Sequence, residues 1–166
     1  MRLKMIIELH LNSQINIKNL RKYSCIYDNG ISVLVDICRI ISENKVNKFK
    51  FIAFSDTEWP VDIETDLSIF MEQLPSCIRE ISNDENASIY LYEQGINREI
   101  FFENQGNIYR CYALGYEDNW KSMYDEYLTK IDLLNILNNV LSNFINILDN
   151  LSENKYLLDW LAGDKK

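Results

Sequence analysis

The chain has 166 residues, of which 47% are hydrophobic and 12% aromatic, so it is long enough to fold around a hydrophobic core and does not resemble a disordered tail. Its 25 acidic residues outnumber the 17 basic ones, which gives a formal net charge of −8. Because a polyanion repels phosphate groups, this composition argues against direct binding to nucleic acid and against adsorption to an anionic membrane. The same charge favours a basic protein partner, and acidity that serves only solubility is the alternative.

The first half of the chain predicts two strands and two helices. Apolar residues alternate over 3–11 and again over 49–54, which indicates strands; the first run is too short and too alternating for a signal peptide or a membrane span. Apolar residues at helical spacing predict helices at about 31–43 and 66–81. Pro75 lies inside the second helix, where we expect a kink or an early end.

The clearest strand pattern lies at about 87–114. Three short β-branched and aromatic segments, separated by Gln94-Gly95 and by Asn104-Gln105-Gly106, predict a three-stranded antiparallel meander that the N-terminal strands extend. Leucines that advance by three and four predict a long helix at about 121–150. With the three helices packed on this antiparallel sheet, the sequence predicts one α+β domain over residues 1–166.

Few residues offer catalytic chemistry. The single histidine, His10, lies in an alternating strand, which favours a structural role over general acid–base catalysis. The four cysteines are far apart, and Cys38, Cys77 and Cys111 lie in apolar or alternating stretches where they are expected to be reduced core residues. No phosphate-binding or nucleophile motif is present. The sequence therefore predicts no catalytic residue, no cofactor and no metal ion.

Charge is concentrated in the middle of the chain. Residues 56–93 hold ten acids and one base, for a net charge of −9, whereas residues 1–55 carry +5 and residues 94–166 carry −4. Candidate contact residues in and beside this segment are acids and rings: Asp56, Glu58, Trp59, Asp62, Glu64, Asp66, Glu93, Tyr116, Glu117, Asp118 and Trp120. Rings that supply buried area, beside carboxylates that pair with basic side chains, are typical of a protein-binding surface.

Other roles remain open for these residues. The acids between positions 56 and 66 could bind a hard metal ion or act as paired carboxylates, although they lack the glycine and the closing glutamate of a calcium loop. They could also be a solvated loop that stabilises the positive end of the following helix. Trp59 and Trp120 could simply fill the core where loops meet helices.

Three segments of the sequence resemble a known class of proteins. The stretches EWPVDIETDL (58–67), EQLP (72–75) and YEQGI (92–96) resemble small immunity proteins of bacterial polymorphic-toxin and contact-dependent growth inhibition systems, over about residues 50–115. The resemblance implies an acidic, cytoplasmic protein without enzymatic activity that binds and neutralises a cognate toxin domain. Many such toxins are basic nucleases. No catalytic residue carries over.

The leading hypothesis is therefore an immunity protein, favoured as a monomer, whose acids and rings cover the active cleft of a basic toxin. A non-catalytic adaptor or structural subunit is the first alternative. A metal-dependent hydrolase that uses the acid cluster is the second.

Overall fold

A run of four consecutive strands lies between the second and third α-helices. The computed structural model describes residues 5–24, 26–54, 58–92, 96–117 and 119–163. The strands are β1 (Ile6–His10), β2 (Ile15–Asn16), β3 (Lys48–Ile52), β4 (Ala87–Leu91), β5 (Arg98–Asn104), β6 (Ile108–Gly115), β7 (Glu126–Thr129) and β8 (Leu148–Asp149). The helices are α1 (Gly30–Glu43), α2 (Ser68–Ser82), α3 (Lys130–Asn146) and α4 (Lys155–Leu161). Antiparallel sheets packed by helices confirm the predicted α+β class.

The predicted meander forms the larger sheet, in the order β4-β5-β6-β7. The fourth strand, β7, falls in the segment predicted as helix, so the prediction of a helix over 121–150 is wrong at both ends. In β7 the alternation buries Leu128 and exposes Tyr127, which suits a sheet with one open face. The Thr129 hydroxyl then accepts a hydrogen bond from the backbone N–H of Asp132 (3.1 Å), which caps α3 and sets its start.

The N-terminal strands pair with each other and not with the meander. In this two-stranded ladder Leu9 lies opposite Phe49. Glu126 of β7 connects the two sheets, because its carboxylate accepts hydrogen bonds from the backbone N–H groups of Met5 (2.6 Å) and Phe54 (2.5 Å). Phe54 has a φ of 61°, a left-handed conformation that is strained for an aromatic residue and needs support from its surroundings.

Helix α2 continues past Pro75 to Ser82, so the alternative of an early end is wrong. A π-helical turn, Ile63–Leu67, leads into α2, and the Asp62 carboxylate caps this turn by accepting from the backbone N–H of Thr65 (2.6 Å). At the other end of α2, the ammonium group of Lys130 donates to the carbonyl of Ser82 (2.8 Å). A cation at this position also complements the negative end of the helix.

The core lies between the helices and one face of the meander, the inner face. Tyr109 of β6 is fully buried there, and its hydroxyl donates to the carbonyls of Ile81 and Glu85 at 3.2 and 3.1 Å. Cys38, Cys77 and Cys111 are buried as predicted. Burial raises the pKa of all three thiols, that of Cys111 to about 12, so each stays protonated at neutral pH.

Cys25 lies outside the described residues. Within the described ranges, no helix combines the length and the apolar character needed to cross a membrane.

Candidate functional site

Three of the predicted acids, Glu58, Asp62 and Glu64, are exposed at the start of the π-helical turn. They line an open groove of about 370 Å³ together with Lys45 and Lys48. These carboxylates therefore face lysines of their own chain, which offsets much of the negative potential that a basic partner would meet.

The other acids of the central segment do not join this group. Asp66 is only 6% exposed and accepts a hydrogen bond from the backbone N–H of Asp62 (2.9 Å), so it has a structural role in the turn. Glu72 accepts from the Tyr92 hydroxyl (3.2 Å), while Asp84 lies beyond the C-terminal end of α2, where it pairs with Lys130 (2.7 Å).

A helix as long as α2, with 15 residues, separates its ends by roughly 22 Å. The acids of the central segment therefore do not form one surface among the described residues, although the candidate contact acids Glu58, Asp62 and Glu64 line one groove. Two of the predicted contact residues, Asp56 and Glu93, lie outside the described ranges.

Trp59 belongs to the hydrophobic core. Its side chain is 2% exposed, and its ring centroid lies 4.6 Å from that of Phe51 and 5.4 Å from that of Trp120, with the two tryptophans edge to face. The guanidinium carbon of Arg98 lies 3.6 Å from the centroid of Trp120 and 4.9 Å from that of Trp59, a cation–π arrangement. The prediction of Trp59 as an anchor for a partner is corrected, and half-buried Trp120 packs over Arg98.

Tyr116 and Glu117 are exposed as predicted, and Asp118 lies outside the described residues. Tyr116 is 54% exposed and borders the face of the meander that points away from the helices. We call this surface the outer face. It comprises Tyr90, Glu99, Phe101, Glu103, Arg110, Tyr112, Tyr116 and Tyr127.

The rings of the outer face pack on one another. Phe101 and Tyr112, opposite each other on β5 and β6, stack with centroids 5.0 Å apart and an interplanar angle of 16°. Tyr90 and Tyr116 meet edge to face at 5.3 Å, whereas Tyr127 is 54% exposed. None of these five rings packs against the buried core. They pack on one another, and Tyr90 also meets Tyr92 edge to face at 5.9 Å and donates from its hydroxyl to Asn97 Oδ1 (2.6 Å).

Two glutamates are held among these rings by tyrosine hydroxyls. Glu99 accepts from the Tyr116 hydroxyl (2.5 Å) and from the Ser88 hydroxyl (2.7 Å). Glu103 accepts from the Tyr112 hydroxyl (2.7 Å). The hydrogen bond to Glu99, with some burial, raises the pKa of Tyr116 to about 12, and burial, with the hydrogen bond to Glu103, raises that of Tyr112 to about 12.

At neutral pH both tyrosines are therefore neutral donors that hold the glutamates in place. Acids outnumber bases on and beside the outer face: Glu99, Glu103, Glu117 and Asp125 against Arg110 and Lys121. The surface thus combines aromatic area with preoriented carboxylates.

Of the residues predicted from the sequence as contacts, Tyr116 belongs to the outer face. The other rings of this face, Tyr90, Phe101, Tyr112 and Tyr127, were not among those predicted residues. A signal was present, because outward positions of a half-open antiparallel sheet are normally polar. Here the outward positions of all four strands carry rings.

Within the described ranges, no three His, Cys, Asp or Glu side chains are grouped as metal ligands would be. His10 is exposed on β1, with its Nε2 3.3 Å from Glu8 Oε2. A comparison with protein-family models, with curated proteins and with solved structures finds no match for this chain.

Proposed function

We propose that this chain is an immunity-type inhibitor, a cytoplasmic protein without enzymatic activity that binds and neutralises a basic toxin domain. The outer face of the meander is its binding surface in this proposal. The observation that carries the proposal is a sheet face on which five rings and two tyrosine-bound glutamates lie together without a covering helix among the described residues.

Charge supports a basic partner. The chain carries a net charge of −8, and acids remain in excess on and beside the outer face after Arg110 and Lys121 are counted. Complementary charge speeds association and orients the two proteins before contact. A nuclease that binds phosphate presents such a basic surface, so an acidic protein that covers it would also exclude the nucleic acid.

The rings support a protein partner over a small ion. Tyrosine and phenylalanine supply large contact areas and lose little conformational freedom on binding, which is why aromatic residues are enriched in binding hot spots. Stacking already restrains Phe101 and Tyr112, and hydrogen bonds restrain Tyr116 and Glu99. Such preorganisation lowers the entropic cost of association.

Coexpression tests this function. A candidate basic toxin domain from a neighbouring gene is expressed in bacteria with and without this chain, and we expect growth to be restored only when the chain is present. The purified pair should form a 1:1 complex whose association rate falls as salt concentration rises, because electrostatic steering is screened. Growth arrest that persists despite soluble expression of both proteins would contradict the proposal.

A further inference from the structure

One guanidinium group already lies on the outer face. The guanidinium carbon of Arg110 lies 4.5 Å from the ring centroid of Tyr112. Its Nη1 is 3.1 Å from Glu103 Oε2, and its Nε donates to Asp125 Oδ2 (2.7 Å). The other oxygen of Glu103 accepts from the Tyr112 hydroxyl. Arg110 is thus held by two components: a glutamate that a tyrosine hydroxyl orients, and the face of an aromatic ring. Together they form an arginine site within the chain itself.

The same combination recurs around Glu99. Its carboxylate accepts from the Tyr116 hydroxyl at Oε2 and from Ser88 at Oε1, and the ring of Tyr90 lies edge to face with that of Tyr116. Among the described residues, no cation forms an ion pair with Glu99. Lys121 lies across Leu114 from Glu99 in the sheet register, and the two side chains do not pair.

The Glu99 carboxylate can accept further hydrogen bonds from a planar cation. Each carboxylate oxygen accepts up to two hydrogen bonds, and each oxygen of Glu99 already receives one from a hydroxyl. These hydroxyls hold the carboxylate in one orientation and leave one acceptor position on each oxygen. A guanidinium group can fill both positions at once and pack on a neighbouring ring, whereas an ammonium group acts as a point charge.

We infer that Glu99, together with Tyr90 and Tyr116, is a receptor for an arginine side chain of the protein partner. The inference rests on the proposed function for the identity of that partner and names the side chain that the outer face recognises. The charge of the site fits this occupant, since Glu99 is an acid that no described basic residue neutralises.

The test is an NMR titration of the full chain with N-acetyl-arginine amide, compared with N-acetyl-lysine amide. We expect arginine amide to shift the ring signals of Tyr90 and Tyr116 in a saturable way over a millimolar range. Glu99→Gln, which keeps the shape but removes the charge, should weaken this binding about tenfold. Glu43→Gln, which removes an exposed charge on helix α1, is the matched control and should change the affinity less than twofold.

Three results would overturn the inference: no shift at either tyrosine, equal affinity for arginine and lysine amides, or unchanged affinity in Glu99→Gln. Thermal melting of each variant checks that the fold is intact. If coexpression fails to protect the cells but arginine amide still binds, the proposed toxin partner is wrong and the arginine site is retained. Conversely, if the chain protects the cells but arginine amide does not bind, the inhibitor function is retained and the arginine site is wrong.

Discussion

Replacing Trp59 by alanine should lower the free energy of unfolding by about 3–5 kcal/mol, the usual cost of removing a large aromatic side chain from a core. Trp59 is 2% exposed and contacts the rings of Phe51, Phe54 and Trp120. Its removal leaves a cavity and also exposes one side of the Arg98 cation–π arrangement. Urea denaturation followed by circular dichroism measures the change as a lower midpoint at an unchanged slope.

Two further variants separate this core role from a contact role. Tyr116→Ala removes an exposed ring and should cost less than about 1 kcal/mol. Trp59→Phe should cost clearly less than Trp59→Ala, because it keeps a ring in the core and the indole Nε1 has no hydrogen-bond partner among the described residues. If Trp59→Ala were as stable as the parent protein, the placement of this residue in the core would be wrong.

The second large effect is expected at Glu126. Glu126→Ala should destabilise the fold by about 3–6 kcal/mol, since hydrogen bonds to charged groups contribute about 1.5–3 kcal/mol each and two backbone donors would lose their acceptor. Those donors are the N–H groups of Met5 and Phe54, at the edges of the N-terminal ladder. Phe54 has the additional strain of a positive φ, so its loop should loosen first.

Hydrogen exchange localises this effect. In Glu126→Ala, the amides of β1 and β3 should exchange faster than those of β5 and β6, because the mutation disconnects the small ladder from the meander. Glu126→Gln keeps one acceptor oxygen and should be intermediate in stability. The exposed acid Glu117, replaced by alanine, is the control and should change stability by less than about 0.5 kcal/mol. Uniform exchange across both sheets would contradict a connecting role for Glu126.

Local patterns predicted most of the fold. The meander and α1 follow from periodicity. The turn between β5 and β6 follows from Asn104 and Gly106, where the backbone N–H of Gly106 donates to the Asn104 side chain (2.7 Å). Strand β7 was not predicted because it directly precedes α3. The strong helical spacing of leucines and isoleucines in α3 led to its segment being assigned to the same helix. Strands β1 and β3 pair with each other, and the hydrogen bonds that join them to the meander come from Glu126, which is far away in sequence. No local pattern carries such a contact.

The site was less predictable than the fold. Acid density along the chain suggested one surface, but the chain turns Asp66 inwards and places Asp84 at the far end of α2. Tryptophan beside acids suggested an anchor, although a loop can also direct a ring into the core, as it does at Trp59. The outer face depends on strand register, which places Phe101 opposite Tyr112. The sequence alone did not predict this pairing.

The side chains of the outer face, the proposed binding surface, are held in place by the sheet. They project from a sheet of four hydrogen-bonded strands, so the positions of the rings and carboxylates are fixed by backbone pairing and not by loop conformation. A partner would therefore meet a surface that needs little reordering, which favours slow dissociation.

The most direct test of the proposed binding surface is the affinity for the toxin domain that we propose as the partner, measured by calorimetry for two matched variants. Phe101→Ala combined with Tyr116→Ala removes rings from the outer face, and we expect it to weaken binding at least about 100-fold. Glu58→Gln, Asp62→Asn and Glu64→Gln together remove three charges from the groove beside Lys45 and Lys48, and they should weaken binding less than about threefold. The opposite order, with the groove variant losing affinity and the ring variant retaining it, would contradict the outer face as the binding surface.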